Sequence, residues 1–267
     1  MNHATSPCML ITGAAAGIGR AVALRFAKAG WRLGLFDVDE VGLASLVAEI
    51  GHIGGAPCVA ARLDVTDPAG WQQALSTLTQ AFGPRLDVLF NNAGIAITSP
   101  FEEAALARHH RLIDINIKGV INGCHVAQSL LKATPGSRVI NMCSASALHG
   151  QPDLATYSAT KAAIRSLTEA LDIEWRRQGI RVVDLLPLFV NTAMVSDEVS
   201  RMKTVQTLGV RLGPDDVAQA VWRLAQMPAH RMPLHTFVGW QTKAFALLSK
   251  LSPTFMNHWV TARMAGY

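Results

Sequence analysis

The 267 residues are 50% hydrophobic and only 16% charged, a balance that supports a large buried core and excludes a disordered chain. The net charge of +5 admits an anionic partner, but the basic residues are scattered and form no run with interleaved aromatics, which argues against nucleic acid. No apolar run reaches the ~18 residues of a membrane span, and the short polar stretch Met1–Pro7 lacks the pattern of a secretory leader, so a cytoplasmic protein is expected.

In chain order, Cys8–Ile11 reads as a first strand, followed by a glycine turn and a helix to about Ala29, stopped at Gly30. Ile18, Val22 and Phe26 give that helix one apolar stripe. A second strand runs from Trp31 to Phe36 and ends in Asp37. Further strands are predicted at Cys58–Leu63, Leu86–Phe90, Arg138–Met142, Arg181–Leu186 and Leu234–Val238. Helices are predicted at Val41–Ile50, Pro68–Phe82, Ala105–Lys132, Tyr157–Gln178 and Asp215–Gln226. Strands alternating with helices predict an α/β fold, a doubly wound parallel sheet of Rossmann type. Leu188–Gly213 fits a helical lid better than a sheet element.

Residues 1–240 are assigned to one catalytic domain. Residues 241–267 are read as an apolar helical tail: a helix at Lys243–Leu251, a break at Pro253, and a second piece at Phe255–Met264. The tail is expected to pack on the domain or a partner subunit, with contact to a membrane surface or the substrate entrance as the alternative. Cys8, Cys58, Cys124 and Cys143 form no C-x-x-C pair and match no zinc spacing, so free thiols in a reducing compartment and no metal are expected.

Thr12 to Gly19 joins the first strand to the first helix. Gly13 suits turn dihedrals closed to other residues, and Gly17, Ile18 and Gly19 sit where a pyrophosphate meets the free N–H groups of a helix start. Asp37 ends the next strand, about 20 residues on, where a carboxylate accepts from the adenosine ribose hydroxyls and repels a 2′-phosphate. With no basic residue at Ala15 or Ala16, the reading is NAD(H) rather than NADP(H). Asp64 and Val65 close the third strand, within reach of an adenine. Asn92 and Gly94, in Asn91–Gly94, close the fourth at the sheet edge where ligands bind.

Tyr157 and Lys161 are four apart on one helix, hence on one face. A neighbouring ammonium lowers a phenol's pKa and suits it to exchange a proton with a carbinol oxygen. Ser144 ends the fifth strand and can hold the same oxygen. Asn116 sits mid-helix, where asparagine is disfavoured without a task.

These segments together resemble the short-chain dehydrogenase/reductase family: Thr12–Gly19, Asp64, Asn91–Gly94, Asn116, Ser144, Tyr157 with Lys161, and Pro187 through Thr192. The resemblance covers about residues 6–240 and implies a seven-stranded parallel sheet with the site at its carboxyl edge. It also implies that Tyr157 is the acid/base and that Lys161 lowers its pKa and binds the nicotinamide ribose. On the same ground Ser144 orients the substrate oxygen, Asn116 supports a water chain to Lys161, and Val190 and Thr192 contact the carboxamide. Where the family usually has Pro-Gly this chain has Pro187-Leu188, which either reshapes the pocket or marks a backbone that accepts a side chain.

Substrate contacts are expected from His149, Gln151, Leu154, Leu188, Phe189 and Met194, a mostly apolar set that favours a hydrophobic secondary alcohol or ketone over a sugar. A 3-oxoacyl-thioester reductase is the alternative enzyme, with Asp37 counting against it. A non-catalytic dinucleotide sensor is the alternative from another class, with the intact Asn116, Ser144, Tyr157 and Lys161 counting against it. The resemblance implies a homodimer or homotetramer built through the two long helices.

Overall fold

The computed structural model describes residues 6–192 and 202–267. Seven strands form one all-parallel sheet in the order β3-β2-β1-β4-β5-β6-β7. They are β1 (Cys8–Thr12), β2 (Arg32–Asp37), β3 (Cys58–Arg62), β4 (Val88–Asn91), β5 (Arg138–Met142), β6 (Arg181–Pro187) and β7 (His235–Val238). The expected α/β doubly wound sheet is therefore present. Strand order reverses between β1 and β4, and in such sheets a crevice opens outside the strand ends at that point.

The alternation along β1 shows how the sheet is sandwiched. Met9 and Ile11 face one helical layer with α1 (Gly17–Lys28), α2 (Glu40–His52) and α8 (Pro214–Gln226). Cys8 and Leu10 face the other, with α3 (Pro68–Phe82), α5 (Gly119–Ala133) and α6 (Ala155–Arg176). Strands buried on both faces are apolar at nearly every position, as Cys8-Met9-Leu10-Ile11 is.

The predicted helix Ala105–Lys132 is interrupted. α4 (Leu106–Ile113) and α5 are joined by a π-helical turn at Asp114–Lys118, which sets the buried Asn116 among the helices and the β4 loop. Such single wide turns inside helices recur at functional sites. The predicted tail helices are present and start earlier than expected. α9 (Trp240–Leu251) follows β7 directly after Gly239, and α10 (Thr254–Ala265) follows Pro253. Within the expected lid, a short α7 (Lys203–Leu208) is seen. No helix among the described residues is long and apolar enough to cross a membrane, and all four cysteines are free.

Candidate active site

A cavity of about 450 Å³ lies at the carboxyl ends of the strands. Its floor starts at the glycine turn. Gly13 has φ +65° and Gly17 φ +52°, the left-handed region where glycine is favoured. A Cβ on Gly13 would stand 2.9 Å from the Ala93 Cα, and one on Gly19 would overlap the Gly13 carbonyl oxygen. Gly13, Gly17 and Ile18 line the cavity. Gly19 serves the close packing of the turn itself. Ala16, at the N-cap of α1, has no side chain to cap the first turn, so that turn keeps donors for an anion.

Thr12 was not singled out in the sequence, yet it joins the turn to β4. Its Oγ1 accepts from the backbone of Asn92 and of Ala93, both at 3.1 Å. Asn92 lines the cavity while its Nδ2 donates to the carbonyls of Thr12 and Gly13. One asparagine thereby locks the glycine turn onto the end of the neighbouring strand.

Asp37 lines the cavity where β2 ends. Its Oδ2 accepts from Ala15 N at 2.9 Å and its Oδ1 from Asp39 N at 3.1 Å. Asp64 and Val65 line the same end. Burial pushes the Asp64 carboxyl up, but hydrogen bonds from Thr66 and Arg111 outweigh it and hold the group below its ordinary value. Arg111, 3.1 Å from Asp64, is a lining residue with no periodic signal to mark it.

Ser144, Tyr157 and Lys161 converge on the other end of the cavity, with Gly94 opposite. Ser144 follows β5, and α6 begins at Ala155, so Tyr157 and Lys161 stand in its first two turns. Burial pushes the Tyr157 phenol up to about 12, and a hydrogen bond with Ser144 acts the other way. Lys161 stands close to the phenol. The ammonium lies 5.6 Å from the ring centre and donates to the Met142 carbonyl at 2.8 Å, and burial pushes its own pKa down. The Ser144 hydroxyl thus favours the phenolate by its hydrogen bond.

Asn116 is buried outside the cavity lining. Its side chain accepts from Ile95 N and donates to Ile95 O, both at 2.9 Å, and donates to Thr160 Oγ1 at 3.2 Å. The side chain therefore clamps the loop after β4 to α6. A Cβ on Gly94 would meet Asn116 Oδ1 at 3.2 Å and Lys161 Nζ at 3.7 Å, so the clamp sits just behind the lysine.

Val190, Thr192, Gln151, Leu154, Leu188 and Phe189 line the cavity. Leu188 does not have positive φ; among the described residues only Asp153 does without being glycine. Its N–H donates to Thr242 Oγ1 on α9 at 3.3 Å, so this backbone suits a side chain and the side chain shapes the wall. His149 does not line this cavity. It borders a neighbouring one, with its ring 6.2 Å from that of His258. Met194 lies outside the described residues. Phe245, Thr261 and Met264 of the tail also line the cavity, which the sequence did not suggest because they are remote from every motif.

A doubly wound sheet with this constellation at its switch point defines a dinucleotide-fold oxidoreductase. The profile of the short chain dehydrogenase family matches residues 7–203, and the chain belongs to that family. It is 35% identical over 229 residues to the 2,5-dichloro-2,5-cyclohexadiene-1,4-diol dehydrogenase of Sphingobium indicum, covering 84% of this chain and 90% of that one. Among solved structures it is similar to a short chain dehydrogenase/reductase from Burkholderia phymatum in complex with NAD, with TM-score 0.80 and 27% identity over 93% of this chain and 94% of that one. It is also similar to a 3-ketoacyl-(acyl-carrier-protein) reductase from Brucella melitensis complexed with NADH, with TM-score 0.78 and 29% identity over 88% of this chain and 96% of that one.

Proposed function

We propose that this enzyme interconverts a hydrophobic secondary alcohol and its ketone with NAD(H). The observation that carries the reading is one cavity that joins the uncapped start of α1 and Asp37 at one end to Ser144, Tyr157 and Lys161 at the other. The relative named for a chlorinated cyclohexadienediol, a ring with secondary alcohols, and the apolar wall of Leu154, Leu188 and Phe189 support the substrate class.

The residues present fit a nicotinamide dinucleotide. Gly13 and Gly17 leave the turn bare, the first turn of α1 offers donors to phosphates, and Asp37 stands where ribose hydroxyls donate. When bound, the dinucleotide supplies or accepts the hydride at the carbinol carbon. The protein's part is the proton. Ser144 holds the substrate oxygen, and Tyr157, a neutral phenol at neutral pH in this geometry, donates its proton to that oxygen in ketone reduction. In alcohol oxidation the phenolate takes the proton back, and the nearby Lys161 ammonium carries a compensating charge.

Asp37 favours NAD(H), since a carboxylate repels a 2′-phosphate. Arg20, which reaches the Ala15 carbonyl, is tied to Glu49 at 2.6 Å instead of standing free for a phosphate. The 3-oxoacyl-thioester reductase reading stays as the second one. The Brucella melitensis neighbour of that name is complexed with NADH, so Asp37 no longer counts against it. Assays with an acyl thioester and with a simple ketone separate the two. The exposed Ile121 on α5 and Ile173 on α6 fit a homodimer or homotetramer.

Tyr157→Phe removes the proton donor and leaves the ring. It should cut kcat by roughly 10²–10⁴-fold with NADH affinity retained; unchanged turnover of every accepted alcohol would falsify the mechanism. Asp37→Ala should weaken NAD binding, and equal or tighter binding would sink the cofactor assignment.

A further inference from the structure

Behind the catalytic cavity lies a second one of about 470 Å³, in the size range that holds small ligands. It is built between α9 and α10. Trp240, Ala244 and Leu248 line it from α9, and Val260 from α10. Among the described residues, Leu188, Leu208, Phe245, Thr261 and Met264 border both cavities and stand between them.

The tail that encloses this space is fixed. Thr242 accepts from Leu188 N and donates to Val238 O at 2.6 Å. At the far end, the Tyr267 hydroxyl donates to Asp153 Oδ1 at 3.0 Å, in the loop before α6, and Gly266 packs on the Lys203 side chain of α7. Two amide side chains in the wall already donate within the protein. Asn257 Nδ2 donates to Ser249 O at 2.8 Å, and Gln241 Nε2 donates to Leu208 O at 3.2 Å. The rest of the wall is mostly apolar, with His149 and a few hydroxyls as its polar groups.

Resting on the reading above, we infer that this second chamber binds the distal alkyl or alicyclic arm of an elongated substrate whose carbinol carbon lies at Tyr157. The catalytic cavity has to hold dinucleotide and carbinol together, whereas the chamber is free for the rest of the molecule. Phe245 and the unbranched, adaptable Met264 are the side chains the arm passes. The substrate class then extends to long or bulky apolar secondary alcohols and ketones.

The test is the chain-length profile of reduction with NADH, from butanone to dodecanone. Each methylene that leaves water in the chamber should raise kcat/KM by about threefold to fourfold until the chamber is full. Ala244→Phe fills it from α9. This variant should flatten the climb, lowering kcat/KM for the longest ketones by about 30-fold or more while butanone and cyclohexanol stay within about twofold. Intact turnover of the short substrates also shows that the variant is folded. A wild-type profile flat beyond the short ketones, or a variant that lowers short and long alike, overturns the chamber.

A binding measurement stands apart from turnover. An ω-bromoalkyl methyl ketone should quench tryptophan fluorescence in the wild type, and Trp240→Phe should remove most of that quenching. If no ketone is reduced but this quenching is seen, the proposed reaction fails and the chamber stands. If the quenching is the same with and without Trp240, the chamber fails whatever the kinetics.

Discussion

The two walls of the catalytic cavity are held by different forces. On the sheet side, Thr12, Asn92 and Asn116 hold turn, strand end and loop by side-chain hydrogen bonds to backbone groups. On the tail side, Leu188, Phe245 and Met264 close the cavity by apolar contact, and the helices behind them leave Leu251, Phe255 and Trp259 exposed. A directional hydrogen bond fixes an atom to a few tenths of an ångström and fails when one partner is lost. Apolar contact is proportional to area and tolerates exchange of one side chain for another of similar volume. The sheet wall is thereby suited to chemistry that cannot vary, and the tail wall to a substrate that can.

The largest effect that follows is at the glycine turn. Gly19→Ala places a Cβ on the Gly13 carbonyl, backbone against backbone with no flexible end to yield. The expected cost is about 1–3 kcal/mol or more, with NADH binding lost. Gly51→Ala in α2 meets nothing within 4 Å and should be neutral or stabilising. Thermal melting and NADH titration of the pair check this; equal behaviour of the two would show the turn to be more pliant than its contacts imply.

Asn116→Ala comes next. It strips Ile95 of both partners and Thr160 of one, at about 1–3 kcal/mol for buried groups left unpaired. A lower melting temperature with a larger fall in kcat than in stability-matched tail variants would sharpen the contrast between the walls. Equal falls would erase it.

The proton step gives a pH signature. Because burial holds the Tyr157 phenol up to about 12, the proton-donating form dominates at neutral pH. Reduction should therefore hold steady through neutrality and fall only as pH rises toward that value, while oxidation, which needs the phenolate, should climb with pH. The Ser144 hydrogen bond favours the phenolate, so Ser144→Ala should push both limbs to higher pH. Profiles of kcat/KM in the two directions read this; limbs unmoved in Ser144→Ala would leave the serine with substrate orientation alone.

How much of this could be read from the chain depends on the range of each interaction. Tyr157 and Lys161 were legible because helical spacing is local, and Gly13 with Asp37 because a strand–turn–helix unit is contiguous. The ammonium's bond to Met142 O was not, since it joins a helix to a strand 19 residues earlier. The π turn around Asn116 hid because one extra residue barely disturbs the apolar stripe of the helix it interrupts. That His149 borders the second cavity was not legible, because its loop has no periodicity to say which way a side chain points. Phe245 and Met264 were invisible as lining residues, for nothing local links a carboxyl-terminal helix to the ends of β5 and β6.

The smallest expected effect tests the softer wall at the point where both walls meet. Leu188 stands where the family usually has glycine, with its backbone bonded to Thr242 and its side chain on both cavities. Leu188→Gly keeps the N–H and so the bond to α9, and removes only the branched side chain. Burying such a side chain contributes about 1.5–3 kcal/mol, but a half-exposed one at a cavity wall contributes less. We expect a stability loss below about 1 kcal/mol, a kcat for small ring alcohols that hardly moves, and a broader tolerance for substrates branched near the carbinol. A fall in kcat for every substrate would instead tie Leu188 to the rigid side, with the strand end and the tail acting as one unit.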